Sequence, residues 1–428
     1  MLSSWLHLPP LFFLVFLLWR LHQGKAHGLL FWAGLAVKVV AGLALGYVYK
    51  EILGGGDTWS YHRVALKVLQ ETTQLPLDYV RFWLENQTGE ALVAFRADSN
   101  SFFFIKLLSF LYLLTDASYW WSSAYLSLFS FWGCWYLFLR IEERFPDYRI
   151  PAFVAFLFFP SIVFWTSGVS KDSLVMGAMC FLFGFTVRLL YAQGVKEKLY
   201  YGVLFALASW LFWKVKFFLA VPAIVFLLAY LLVEFLAKRF GVLSSLSRKA
   251  MLWLGMMVLG AVSAYFLQSD FTPDDLGFHV MLNYNKISAK TSSELPQIVF
   301  PNLNASFTSI LWHAPQAVGQ MLVRPFIWEP APLFYKLIAI ENLVILFIIL
   351  TALVEIIKNT KVKPPPAFWL VLLCFFLAGA VLVALPTPNL GSLNRYRAPL
   401  LAIFLTIALA QGPWLRWWHR LTKGGKSA

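Results

Sequence analysis

Apolar runs of about 20 residues recur from one end of this chain to the other, and no other feature narrows its fold as much. A run of that length crosses the hydrocarbon core of a bilayer as a helix, with every backbone polar group satisfied internally. The runs are continuous rather than alternating, which excludes an outer-membrane barrel. Composition agrees, because the chain is 60% hydrophobic and only 13% charged, whereas soluble domains are about half apolar and a quarter charged. The fold class is therefore an all-α integral membrane protein. The net charge of +14 fits basic cytoplasmic loops and attraction to anionic lipid head groups. There is no nucleic-acid motif, so membrane lipids and not nucleic acid are the expected partners.

Cys134, Cys180 and Cys374 all fall inside apolar segments. They supply neither a disulfide framework nor a CxxC metal site. The N-terminal stretch lacks an early basic region and a small-residue cleavage site, so it reads as a retained first helix.

Apolar length places membrane helices at roughly 8–21, 28–50, 119–140, 151–167, 172–190, 199–214, 217–237, 250–267, 334–357, 367–386 and 398–413, about eleven in all. The organisation read from this is an extra N-terminal helix and turn at 1–27, then a transmembrane core at 28–267 that contains a long loop at 51–118. A second long loop follows at 268–333, then C-terminal membrane helices at 334–413 and a basic tail at 414–428. With the N-terminus outside, nearly every short inside loop carries Lys or Arg, and both long loops fall on the extracytoplasmic side. "DTWSYHRVALKVLQ" reads as a helix starting at Asp57 or Thr58, and "SFFFIKLLSFLYLLT" (101–115) as an interfacial helix.

Four clusters then share the outside face. In "GGGDTWSYHR" (54–63) three glycines permit a sharp turn beside Asp57, a general base or metal ligand, and His62 and Arg63 follow within two turns. An ordinary helix cap with interfacial aromatic anchors explains the same residues. In "FPSIVFWTSGVSKDSL" (159–174), Lys171 and Asp172 sit at the tip of an apolar hairpin, where a charge needs water or a partner. "WKVKFF" (213–218) sets Lys214 and Lys216 between two apolar runs, as phosphate partners or as snorkelling anchors. "LGSLNRYRAPLLAIF" (390–404) puts Arg395, Tyr396 and Arg397 before the last apolar helix, and guanidinium groups match phosphate oxygens in a fork geometry. Arg324 and Glu329 in "VRPFIWEPAP" (323–332) are expected to pair with each other. Lys38, in the middle of a membrane helix, needs a partner that the sequence does not name. There is no GxxxxGK[ST], HExxH or GxSxG motif.

At these residues the chain resembles the GT-C class of polytopic membrane glycosyltransferases, which use polyprenyl-phosphate sugars. Asp57 in "GGGDTWSYH" is similar to that class's first acid, Asp172 in "FPSIVFWTSGVSKDS" to its second, and "NRYRAPLLAIFL" to its basic stretch before a late helix. The chain departs from the class where a single Asp57 stands in place of paired acids, and where an extra helix comes first. It resembles more loosely the multi-pass polysaccharide polymerases of the EpsG and Wzy kind. The resemblance implies a GT-C-like fold and transfer of a sugar from a polyprenyl-phosphate donor to a lipid, glycan or protein acceptor. It implies Asp57 as general base, Asp172 as the group that orients the acceptor or stabilises the sugar cation, and the Lys and Arg set (Lys171, Lys214, Lys216, Arg324, Arg395, Arg397, with His62, Arg63 and Tyr396) on the lipid phosphate. If a divalent metal takes part, Asp57 and Asp172 are its candidate ligands. The cofactor, sugar and oligomeric state stay open. The expected location is a bacterial inner membrane with the active face outward. The alternatives are a polymerase or ligase acting on lipid-diphosphate oligosaccharides, and a transporter or flippase without chemistry.

Overall fold

The structure is a computed structural model that describes residues 7–22, 27–72, 76–85, 99–240, 245–267, 272–291, 295–330, 332–358 and 364–414. The basic tail expected beyond residue 414 lies outside these residues. The described chain is helical throughout, with α1 (Leu8–Leu21), α2 (Gly28–Tyr47), α3 (Gly56–Thr72), α4 (Pro76–Glu85), α5 (Asn100–Thr115), α6 (Tyr119–Arg144), α7 (Arg149–Leu157) and α8 (Pro160–Trp165) in its first part. Then come α9 (Lys171–Tyr191), α10 (Val195–Phe240), α11 (Leu246–Leu267), α12 (Pro273–Lys290), α13 (Phe307–Val323), α14 (Leu333–Lys358), α15 (Ala367–Ala384) and α16 (Leu390–Gln411). The one strand-like feature among the described residues is an isolated bridge between Gln297 and Asn389.

Six of these helices, α2 (extended by a π turn), α9, α10, α14, α15 and α16, are long and apolar enough to cross a membrane, and α5 with α6 makes up to seven if that bent pair counts as one crossing. This is an integral membrane protein; its described residues give six or seven such helices, where about eleven crossings are expected from the sequence. The differences have physical sources. At 14 residues, α1 is only about 21 Å long, short of a hydrocarbon core about 30 Å thick. The expected span at 151–167 is two short helices, α7 and α8, with Pro160 at the first position of α8. Proline lacks a backbone donor and disfavours helical backbone in the residue before it, so Pro160 suits the start of a new helix. The spans expected at 199–214 and 217–237 are joined as α10, whose 46 residues are interrupted at Lys216 by a non-helical backbone (φ −153°, ψ 70°). The α5–α6 junction bends by 115°, through Asp116 and Ala117 in left-handed conformations.

The chain forms two compact units. The first contains Met1–Glu143, Phe156–Phe185 and Val195–Phe217. Within it α3 packs on α5 and α4, and α2 packs on α8. Phe31, Phe131 and Trp135 build an aromatic core between α2 and α6. The second contains Arg144–Ala155, Thr186–Gly194 and Phe218–Ala428. There α13, α14, α15 and α16 pack on one another, and α12 rests on α13. A Thr272–Asp275 capping box with a proline at the first helical position starts α12. The long stretch at 268–333 is thus structured by two helices. The chain passes between the units five times, the last at Phe217 and Phe218, and every passage falls inside the 28–267 stretch that reads from sequence as one core.

Candidate functional site

The glycine run has a conformational cause. Helix α2 passes into a π turn at Val48–Ile52, and Gly54, Gly55 and Gly56 all take positive φ (68°, 110° and 51°). Such backbone favours glycine over any residue with a Cβ. Gly55 N–H donates to the Tyr49 carbonyl (2.6 Å), and a Cβ on Gly56 would fall 2.6 Å from the Tyr49 ring. The turn therefore needs its glycines whether or not a ligand approaches. As the sequence suggests, the next helix begins here, at Gly56, and Asp57 stands exposed in its first turn, where a carboxylate complements the helix dipole.

The aromatic residues that follow anchor α3. Trp59 stacks on Tyr119 with centroids 4.2 Å apart, and its indole N–H donates to the Gly46 carbonyl (3.0 Å). His62 Nδ1 lies 2.5 Å from the Tyr112 hydroxyl. Burial pushes the His62 imidazole below its usual range, and the neighbouring Arg63 charge adds to the shift. Arg63 is exposed and donates to Ser60 Oγ (3.2 Å).

The second and third clusters meet. Ser127 Oγ accepts from the Gly168 N–H (2.9 Å) in the turn after α8. Ser170 Oγ accepts from the Asp172 N–H (3.1 Å) at the start of α9. Asp172 is only 1% exposed, and its Oδ1 accepts from Lys216 Nζ at 2.9 Å. The break in α10 places Lys216 at this carboxylate. Lys171 points the other way, donating to Ser101 Oγ (3.0 Å) and Asn100 Oδ1 (3.3 Å) at the start of α5. Its ammonium also lies 5.6 Å from the centre of the Tyr61 ring. Asp57 is one helical turn before Tyr61, on the same face of α3. Lys214 is exposed and within electrostatic range of Lys106, which donates to the Trp83 carbonyl (2.9 Å). One lysine, Lys216, thus meets the buried Asp172 carboxylate, while Lys171 turns to the start of α5 and Lys106 and Lys214 lie within electrostatic range of each other.

The remaining basic residues belong to the second unit and are taken up by its framework. Arg397 is fully buried. It donates to the carbonyl of Met321 (2.6 Å) at the end of α13 and to Asn342 Oδ1 (2.6 Å) on α14. The last carbonyls of a helix have no intrahelical donor, so this guanidinium acts as the cap that α13 needs. Arg324 makes a two-pronged pair with Glu329 (2.8 and 2.7 Å), the pairing expected from sequence. Burial alone would raise the Glu329 carboxyl. Hydrogen bonds from Arg324 and the Phe326 N–H, with the charges of Arg324 and Lys336, outweigh burial and hold it below its usual range. Arg395 is 8% exposed, with its guanidinium 5.3 Å from the centre of the Tyr396 ring.

No family model, curated protein or solved structure matches this chain. The residues must carry the argument. Among the described residues no three His, Cys, Asp or Glu side chains gather into a metal-binding group, so Asp57 and Asp172 gain no third ligand from those types.

The sequence does not name a partner for Lys38. The structure does. Lys38 Nζ reaches Thr166 Oγ1 (2.7 Å), Ser130 Oγ (3.0 Å) and the Thr166 carbonyl (3.3 Å). Both hydroxyls spend their own protons on carbonyls, Thr166 on Ile162 and Ser130 on Thr166 (2.6 Å each). All three neighbours therefore accept, and the nitrogen must donate three times, which is the valence of an ammonium. The signal in the sequence was the isolated charge itself. Its partners lie 92 and 128 residues away, beyond any local pattern.

Proposed function

We propose that this protein is a membrane glycosyltransferase that moves a sugar from a polyprenyl-phosphate donor to a lipid, glycan or protein acceptor. On this proposal the site faces outward in a bacterial inner membrane, and the fold is a GT-C-like arrangement. The observation that carries the reading is the Lys171–Asp172 turn, which joins the break at Lys216 to Tyr61 of the Asp57 helix. A hydroxyl of the acceptor attacks the anomeric carbon. A bond forms between that carbon and the acceptor oxygen, and the bond to the phosphate oxygen breaks with its electron pair. Asp57, exposed in the first turn of α3, takes the hydroxyl proton as general base. Lys171 and Lys214 neutralise the departing lipid phosphate, a fixed charge aimed where negative charge develops. Asp172, paired with Lys216, orients the acceptor. Arg324 and Arg397 are not needed, since Glu329 and backbone carbonyls already occupy them.

The test is transfer from radiolabelled polyprenyl-phosphate sugars in membranes containing the full chain. Asp57→Asn and Lys171→Gln should each abolish transfer at unchanged protein level, and full activity in Asp57→Asn refutes its role as base. A second reading, a lipid-linked sugar transporter, is favoured by the Lys38 network inside α2 and by the interruptions between α7 and α8 and at Lys216, because transporters bind in mid-membrane beside broken helices. Translocation of the labelled lipid in proteoliposomes without a covalent product would select that reading.

A further inference from the structure

In the first unit, Cys134 of α6 and Cys180 of α9 face each other with their sulfurs 3.8 Å apart. The thioether of Met176, one turn before Cys180 on α9, lies 3.6 Å from the Cys180 sulfur. All three side chains are completely buried. The backbones fix this level of the helix pair, because α6 and α9 touch at Gly133 and Gly177. A Cβ on Gly133 would fall 2.7 Å from the Gly177 Cα, so the residues beside these glycines are held close. Small residues let membrane helices approach in this way.

The spacing suits one metal ion. Metal–sulfur bonds of about 2.3 Å put neighbouring sulfurs of a trigonal ion about 4 Å apart, close to the 3.8 Å of the Cys134–Cys180 pair and the 3.6 Å of the Cys180–Met176 pair. Two thiols and a thioether are soft donors that suit Cu(I); thiolates also hold Zn(II), but structural zinc takes four ligands, and here the set is three sulfurs, one of them a neutral thioether. The charge also balances. Lys38 is an ammonium by its hydrogen bonds, within electrostatic range of both thiols, and among the described residues no carboxylate forms an ion pair with it. Two thiolates and one monovalent cation sum to −1, which Lys38 neutralises inside a span where an uncompensated charge is costly.

We infer that Cys134, Cys180 and Met176 form a Cu(I) site within the membrane-spanning part of the first unit, with Lys38 as its counter-charge. On binding, each thiol gives up its proton to the buffer and each sulfur donates an electron pair to the ion, and no electron changes hands. The test uses the full-length protein in detergent, purified under reductant and loaded with Cu(I) against a competing chelator. Stoichiometry and copper-edge X-ray absorption are the readouts. The expected result is one Cu(I) per chain with three sulfur neighbours, retained in Cys374→Ser and lost in Cys134→Ser and in Cys180→Ser. Met176→Leu keeps the volume of the side chain, so it tests coordination without disturbing packing, and should lower the sulfur count from three to two. Failure of the reduced wild-type protein to bind overturns the inference. So does undiminished binding in either cysteine variant, an unchanged sulfur count in Met176→Leu, or equal retention of Zn(II).

Discussion

Single residues here do work that their types alone would not assign. Gly56 combines a left-handed backbone with a position 2.6 Å from the Tyr49 ring. Gly56→Ala should therefore destabilise the protein by about 1–3 kcal/mol, while Gly28→Ala, with open space around it, should be close to neutral. Thermal unfolding of both in detergent reads the difference. The Asp172–Lys216 pair makes a sharper prediction. Its side chains are 2% and 8% exposed, so removing either partner leaves a buried charge and should cost about 3–5 kcal/mol. Replacing both, with Asp172→Leu and Lys216→Met, should recover most of that loss, because an apolar pair needs no compensation. If each single variant were as stable as the wild type, the pair would not be buried as described. The two acids that look alike in sequence are thus physically different: one is enclosed and paired, the other stands exposed at a helix start.

At the scale of elements, sequence periodicity located most helices well and their interruptions less well. The helix after the glycines starts at Gly56, and "WKVKFF" marks the break at Lys216, because apolar runs and lysines are local signals. The interruption before Pro160 was also written in the sequence, yet apolar length overrode it. The partners of Arg397 were not legible. An arginine before an apolar helix looks the same whether it meets a phosphate or the carbonyls at the end of α13, and only the packing of α13 against α16 decides. Since Arg397 ties α13, α14 and α16 together, Arg397→Met should cost about 3 kcal/mol by leaving several buried acceptors without donors. Protease resistance of the segment around α13 should fall with it. Arg395→Met should leave that segment intact.

Across the whole molecule, membrane character follows from composition, while sidedness rests on the basic loops. Residues 57 and 214 should lie on one side of the bilayer. In a background with the three native cysteines replaced, single cysteines at Asp57 and Lys214 should react with an impermeant thiol reagent from the same side. Labelling from opposite sides would undo the proposed outward site. The break in α10 also bears on biogenesis. An unbroken helix of 46 residues would be about 69 Å long, more than twice the hydrocarbon thickness, so the two crossings expected at 199–214 and 217–237 would need separate insertion events. On that arrangement Lys214 and Lys216 would mark where one inserted segment ends and the next begins. If both became leucine, 195–240 would present one uninterrupted greasy stretch. Losing a single turn there would reverse the parity of every later segment and send the basic stretches around Lys238 and Lys358 toward the wrong compartment. Two lysines would then govern the orientation of nearly half the chain before any substrate is met.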